Sequence, residues 1–492
     1  MNALLLYPRI PDTFWSFKYA LRFIQKRASL PPLGLLTIAG MLPDEWSKRL
    51  IDLNITRLRD SDLAWANIAL VSAMAVQQES AMQLIARCRR AGVKVVAGGP
   101  LFSAEPQRFG QVDHLVLNEA EITLPRFLAD LEQGRPQHLY CTSEFADLRQ
   151  TPIPLWRLAD VRQYATMSVQ YSRGCPFNCD FCNVTALFGR RPRTKTAKQI
   201  IAELDALADR GWRGSVFFVD DNLIGNKPAL KNELLPALIP WRKRHRSFSF
   251  NTQVSINLAD DEPLMKMMVE AGFDTVFIGI ETPDNQSLVE CSKVQNKNRD
   301  LVADVRRIHR AGMQVQGGFI VGFDSDLPTI FRRQIEFIQA SGIVTAMVGM
   351  LQAVPGTRLF ERMSREGRLI GATTGDNVDG TTNIAPLMGL QTLREGYQSV
   401  LKQIYSPNSY YQRVRTFLRE YKPPKGIAPL GVDRFLAFPR SIIRLGIMGR
   451  ERVHYWRLLA WTICHRPTLL GQAVTLAICG YHFRRVCEEH VG

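Results

Sequence analysis

The chain has 492 residues, enough for two or three domains, and its 46% hydrophobic content excludes a disordered or low-complexity protein. Lys and Arg number 62 against 46 Asp and Glu, a formal net charge of +16 spread along the chain, so charge alone selects no partner among nucleic acid, anionic lipid and acidic protein. Nine cysteines, an odd number, and a first segment that reads as a short strand ended by Pro8 rather than as a secretory signal fit a reducing, cytoplasmic setting.

Residues 1–150 alternate short apolar runs with amphipathic stretches. Runs at 3–7, 49–53, 68–73, 93–97 and 114–117 predict buried parallel strands, and helical periodicity covers 79–91 and 121–131. This βαβ alternation predicts a doubly wound, Rossmann-like sheet with a ligand crevice beyond its strand C-termini. Gly98 and Gly99 follow the fourth strand; they suit close backbone approach to a ligand, and a simple turn accounts for them equally well.

A Pro-broken connector at 151–156 leads to a second alternation over 151–360. Strands are expected at 168–171, 215–219, 247–251, 275–280, 314–321 and 345–351, with helices such as 198–210, 262–271 and 299–311 between them. Six β/α units in a row predict a partial (β/α)6 barrel with its site at the strand C-termini. Just after the first of these strands come Cys175, Cys179 and Cys182 in the spacing C-x3-C-x2-C, on a loop opened by Gly174 and Pro176. Three thiolates so close suit a [4Fe–4S] cluster and leave one iron open for chemistry. The alternatives are a structural zinc, which needs a fourth ligand absent from the loop, or three unrelated core thiols. The other cysteines (88, 141, 291, 464, 479 and 487) read as ordinary buried or half-buried thiols.

Residues 361–492 read as mainly helical. From Tyr421 onward there are eleven Lys/Arg and four Asp/Glu, with apolar helical stretches at 453–463 and 469–478 split by Pro467. Each is too short for a transmembrane segment. A basic, apolar hairpin suits peripheral membrane association; packing onto the barrel is the favoured expectation. Arg190, Arg191, Arg193 and Lys195 predict a basic rim beside the cysteines, suited to an acidic electron donor such as a flavodoxin or ferredoxin. No aromatic-interleaved basic stripe supports nucleic acid.

The cysteine spacing, with Phe181 before the last thiol, resembles the signature of the radical S-adenosylmethionine (SAM) superfamily. Segments 30–36, 98–100 and 118–121 resemble the cobalamin-binding half of its cobalamin-dependent members. Segments 219–222, 277–283, 317–324 and 355–359 look like successive strand ends of their barrel, and 8–15, 189–195 and 405–413 most resemble hopanoid position-2 methylases. The resemblance implies three cofactors: a [4Fe–4S] cluster on Cys175, Cys179 and Cys182, SAM on its open iron, and cobalamin in the first domain. Cobalamin would sit near Ser72, Gly98 and Gly99, with the segment from Met74 to Gln77 nearest the lower face of cobalt. No Asp-x-His-x-x-Gly loop follows the first strand and the first histidine is His114, so a base-off corrinoid without a histidine ligand is implied.

In the barrel, the resemblance places Asp220, Asp221 and Asn222 by the methionine part of SAM, with a helix-capping Asx turn as the alternative. Glu281 falls near the ribose or sulfonium, or else is a surface acid. Gly317, Gly318, Ile320 and Gly322 suit adenine stacking. Gln253 stands where relatives often have Glu, a neutral amide that still hydrogen-bonds but cannot pair with a cation. No catalytic acid or base is assigned. The implied activity is methyl transfer to an unactivated carbon of a small-molecule or lipid substrate, hopanoid-like on the strength of the resemblance. The alternatives are a non-methylating cyclisation or rearrangement, or a corrinoid- or redox-sensing binding protein.

Overall fold

The computed structural model describes residues 1–376, 378–424 and 432–491, the last stretch with side chains from 436 to 489. Fully apolar runs become parallel strands because helices bury both sheet faces. The first sheet holds β1 (Asn2–Tyr7), β2 (Ser47–Asp52), β3 (Ile68–Ser72), β4 (Lys94–Gly98), β5 (His114–Val116) and β6 (Leu139–Tyr140), in the order β2-β1-β3-β4-β5-β6. Every pairing is parallel, with Leu5 opposite both Leu50 and Leu70. Successive residues face opposite sides. Leu4, Leu6, Ala69 and Val71 pack with Leu84 and Ile85 of helix Gln78–Arg90, while Ala3, Ile68 and Leu70 pack with Leu124 and Phe127 of helix Ala120–Glu132. β6 escapes the sequence pattern because two residues show no alternation and Leu139 is exposed.

The order reverses between β1 and β3, which makes their C-terminal ends the topological switch point of this sheet. Gln77 joins the two ends: its amide nitrogen donates to the Pro8 carbonyl (2.7 Å) and its amide oxygen accepts from the Met74 N–H (2.9 Å).

The second sheet holds β7 (Met167–Val169), β10 (Ser215–Phe218), β11 (Ser249–Gln253), β12 (Phe273–Glu281), β13 (Gln314–Val321) and β14 (Ala346–Met350), all parallel in the order β14-β13-β12-β11-β10-β7. The expected partial barrel is therefore present. β8 (Ser172–Arg173) and β9 (Arg193–Thr194) form a small antiparallel ribbon at its rim. Amphipathic helices cover the outside. Leu301–Ala311, for example, buries Leu301, Val305 and Ile308, starts on an Asp300 cap and stops at left-handed Gly312.

Helices Leu390–Ile404, Pro407–Glu420, Arg452–His465 and Leu470–Val491 complete the chain. The expected packing of the tail holds: Tyr455, Leu458, Ala473, Ala477 and Phe483 join the core of the barrel. No helix among the described residues is long and apolar enough to cross a membrane.

The loop after β1 links all three regions. Trp15 reaches the barrel strands, its ring T-shaped to that of Phe277 with centroids 5.5 Å apart and its indole N–H donating to Met347 Sδ (2.9 Å). Phe14 stacks on Phe483 at 4.2 Å, and its carbonyl meets His482 Nε2 (2.9 Å).

Candidate cluster and cofactor site

The cysteine loop starts where β7 ends, and its entry is fixed by one buried acid. Asp220, past the end of β10, accepts from the Tyr171 N–H (3.1 Å), the Ser172 N–H and the Ser172 hydroxyl (2.5 Å). Burial pushes its carboxyl up to about 6 against these bonds. Gly174 then turns through φ +94°, where a Cβ would lie 2.9 Å from the Arg191 carbonyl and 3.0 Å from that of Phe188. Only glycine fits there without strain.

The β8–β9 ribbon that frames the loop is clamped to the first sheet by buried charges. Glu119 pairs with Arg193 (2.5 Å) and with Arg173 (3.5 Å), and Glu121 pairs with Arg173 (2.8 Å). Arg193 and Lys195 are thus not rim residues. Arg193 serves this clamp, and buried Lys195 pairs with Glu203. Only Arg190 and Arg191 of the expected basic rim are exposed. Both departures share a cause: each basic side chain is the partner of a buried carboxylate, which would be costly to leave uncompensated.

Around the thiols, Asn222 reaches Cys175 Sγ with Nδ2 (4.0 Å) and ties itself to Ser255 after β11, while Gln295 Nε2 reaches Cys179 Sγ (3.9 Å). Lys293, missed from the sequence, is half-buried and donates to Glu281 Oε1 (2.7 Å), and its charge acts on all three cysteines. Glu281 has φ +65° and is 6% exposed, so it is no surface turn acid. Gly279 leaves room for the pair, since a Cβ there would run into the Glu281 carboxylate and the Lys293 ammonium.

Burial raises all three thiol pKa values, that of Cys182 to about 12, so metal must displace the protons. Among the described residues no three His, Cys, Asp or Glu side chains gather as ligands of a single ion. A cluster of several irons needs no such single point, and amide donors aimed at two sulfurs suit it. The loop fits a [4Fe–4S] cluster.

The remaining expected residues divide into two groups. Asp221 has its own backbone N–H as the one hydrogen-bond partner of its carboxylate among the described residues; burial and the Asp220 charge push its carboxyl up to about 7, and its charge is felt at Cys182. Gln253 ends β11 half-buried, its amide unpartnered among the described residues. Ile320 and Phe181 of the cysteine loop both pack against one apolar cluster that includes Cys291 and Phe323. Gly318 faces Phe277, 2.8 Å from where its Cβ would be, and Gly322 turns at φ +101° against Leu393.

At the first sheet's switch point, Gly98 and Gly99 answer first to their own sheet. A Cβ on Gly98 would lie 2.5 Å from the Val116 carbonyl, and one on Gly99 2.6 Å from Ser72 Oγ. Met74 is 41% exposed beside them and Gln77 is buried. His114 lies at the opposite, N-terminal end of β5, bonded to the Gln137 carbonyl (2.7 Å). The two glycines are thus accounted for by their own sheet, and the first domain's two histidines, His114 and His138, bond backbone carbonyls away from this crevice, which fits a corrinoid held without a histidine ligand from this domain. From the C-terminal region Gly375 closes onto the same turn, where a Cβ would stand 2.7 Å from the Val76 nitrogen. Two of the thiols expected to be buried or half-buried, Cys141 and Cys464, are exposed.

The radical SAM superfamily profile matches residues 169–332, and a domain of unknown function (DUF4070) matches 357–492. An uncharacterized methyltransferase of Synechocystis sp. is 39% identical over 100% of this chain and 94% of its own length. The hopanoid C-2 methylase of Rhodopseudomonas palustris is 34% identical over 93% of this chain and 88% of its own. The chain belongs to the radical SAM methyltransferase family. Membership implies a [4Fe–4S] cluster and SAM as cofactors. The fold is that of two solved enzymes. The cobalamin-dependent SAM radical enzyme OxsB, solved with aqua-cobalamin, superposes with TM-score 0.62 over 99% of this chain and 80% of its own, at 14% identity. The radical SAM methyltransferase TsrM of Kitasatospora setae, solved with cobalamin and a [4Fe–4S] cluster, gives 0.58 over 94% and 99%, at 15%.

Proposed function

We propose that this chain is a cobalamin-dependent radical SAM methyltransferase that adds a methyl group to an unactivated carbon of a polycyclic, hopanoid-like lipid. The observation that carries the reading is a juxtaposition. A three-cysteine loop stands at the C-terminal edge of a parallel barrel, and the loop leaving the switch point of a second parallel sheet enters that barrel through Trp15. Bound there, the cluster with SAM supplies a hydrogen-abstracting radical and the corrinoid supplies the methyl group, with a flavodoxin or ferredoxin as the class of one-electron donor.

The side chains divide this work. Cys175, Cys179 and Cys182 hold the cluster. Asp221, whose charge is felt at Cys182 and whose carboxylate bonds no other residue among those described, accepts from the SAM ammonium, while Asp220 acts only by positioning the loop. Asn222 orients Cys175, Ile320 and Phe181 offer an apolar edge to the adenine, and Lys293 balances charge. Ser72, Gly98, Gly99 and the segment from Met74 to Gln77 line the corrinoid crevice. Trp15, Phe277 and Met347 make an apolar wall that excludes water and suits a hydrocarbon acceptor. The relative acting on a hopanoid, 34% identical, supports that acceptor class. The reading places the enzyme in the cytoplasm, on a lipid or other small-molecule substrate and without nucleic acid.

The test is lipid mass spectrometry on a hopanoid-producing bacterium with and without this gene, fed methyl-deuterated methionine. A hopanoid carrying an intact labelled methyl is expected. Unchanged lipids in cells holding soluble, cluster-loaded protein overturn the acceptor assignment. Failure of the reconstituted protein to turn SAM over to deoxyadenosine overturns the enzyme reading itself.

A further inference from the structure

Nothing in the proposed chemistry uses the outer face of the C-terminal hairpin, and that face is unusual. Helix Arg452–His465 buries Tyr455, Leu458 and Leu459 against the barrel core. Its opposite stripe repeats at helical spacing: Val453 (53% exposed), Trp456 (46%), Ala460 and Ile463 (56%). The preceding turn adds Ile443, Ile447 (60%) and Met448 (75%). Trp456 joins the two stripes by lying on Gly446, to whose carbonyl its indole N–H donates (2.9 Å). Its one polar atom is satisfied internally and its exposed surface is apolar.

The charges on this face have one sign. Arg444, Arg450, Arg452 and Arg457 are exposed, and the last three make no ion pair with the described residues. From 436 to 468 the sole acid is Glu451, buried in a pair with Arg484. We propose that this face is a docking surface for an anionic lipid bilayer, with the hairpin lying in the plane of the interface. Apolar side chains enter the headgroup boundary while arginines meet lipid phosphates. Docking through a second copy would set Arg450, Arg452 and Arg457 against themselves without an acid to answer them, so like charge disfavours it. No described helix can cross the bilayer, so the contact is peripheral. Arg440 Nη1 donates to the Phe23 carbonyl (2.7 Å), tying the surface to the stretch that carries Trp15 into the barrel. The proposal does not depend on the identity of the methyl acceptor.

The test is flotation of the full-length, cluster-loaded protein with phosphatidylcholine vesicles and with vesicles in which a fraction is replaced by phosphatidylglycerol. Binding is expected to the anionic vesicles, weaker at high salt and much weaker to neutral ones. I447Q/M448Q should lower affinity at least tenfold by removing apolar insertion. R450Q/R452Q/R457Q should lower it about a hundredfold and flatten the salt dependence. Both variants should keep wild-type deoxyadenosine formation, which separates lost docking from misfolding. Wild type that stays with neither vesicle, or variants that float as wild type does, overturn the proposal. So does a sedimentation shift from dimer to monomer in I447Q/M448Q with flotation unchanged, which would make a second copy the occupant.

Discussion

The clamp between Glu119 and the cysteine ribbon can be tested by removing one charge. Glu119 has a side chain 1% exposed and accepts from Arg193 Nη1 (2.8 Å), Arg193 Nη2 (2.5 Å) and the Ala146 N–H (2.9 Å). E119Q keeps the shape, removes the charge and leaves Arg193 buried without its counterion. Breaking a buried pair from one side costs about 3–5 kcal/mol. Arg193 still reaches the carbonyls of Ala146 (2.6 Å) and Phe188 (3.1 Å), which points to the low end. A loss of about 3 kcal/mol corresponds to roughly a hundredfold more frequent opening of the ribbon. The assay is amide hydrogen exchange across 171–195, where Lys195 N–H bonds the Tyr171 carbonyl (2.8 Å) and Cys175 N–H that of Gly189 (3.3 Å). Exchange there should accelerate by that factor while β13 is unchanged, and E119Q/R193M should regain part of the loss. Unaltered exchange in E119Q, or acceleration shared equally by β13, would refute the clamp.

Four further outcomes follow from the site and core. Cys→Ala at 175, 179 or 182 should each abolish bound iron and deoxyadenosine formation; turnover in any one of them sinks the cluster assignment. D220N and D221N should separate. The first removes a charged acceptor of three bonds, costing about 1.5–3 kcal/mol, and should shed the cluster; the second should keep its iron and bind SAM about tenfold more weakly. G98A should destabilise corrinoid-free protein by about 1–3 kcal/mol, because its Cβ meets the Val116 carbonyl; equal stability with only corrinoid binding reduced would make this glycine a ligand feature. His309 is fully buried, neither ring nitrogen has a hydrogen-bond partner among the described residues, and burial pulls it down to about 3. The folded state therefore takes up its proton later than the unfolded one, and stability falls as pH drops from about 6.5 towards 3. At pH 5 this is about 2 kcal/mol. H309L should flatten that acid limb in urea unfolding, and an unchanged limb would show that His309 is not its source.

Most of the parallel strands were legible because strands such as β1, β3 and β4 are short apolar runs between helical periods, a pattern that two-sided burial favours, whereas β6 was too short to show one. Helices were legible from periodicity, as at 198–210 and 262–271, and the structure adds the caps that start them, Thr196 with Gln199 and Asp261. The cysteine loop was legible because three thiols cannot be so close by packing preference alone. What escaped was pairing across sequence distance. Glu119 and Glu121 look like the start of a helix, and nothing local shows that they hold Arg173 and Arg193, 52 to 74 residues away. The glycines at 98 and 99 were visible as a demand for close approach, but only the structure reveals that the approaching groups are Val116 and Ser72.

Lys293 shows most plainly why a motif read along one strand misses part of a site. β12 ends in Glu281, and an acid at a barrel strand end invites a ligand on its own. Yet twelve residues on, past helix Asn285–Glu290, the chain returns beneath the cysteines with the Cys291 carbonyl accepting from the Asp180 N–H (3.0 Å). That return carries Lys293 onto Glu281 and Gln295 onto Cys179. Three thiolates bring negative charge into a pocket that already holds Glu281, and desolvation there penalises every uncompensated charge. A lone Lys293 would be as costly as a lone Glu281, so the pair makes both affordable before any cluster is present, and the cation remains in reach of the thiolates afterwards. The register shift of β12 between Gly279 and Glu281 turns the carboxylate towards that cation, and glycine at 279 keeps the path clear. The strand-end motif and the lysine are therefore one electrostatic unit, visible in the sequence only as two unrelated residues.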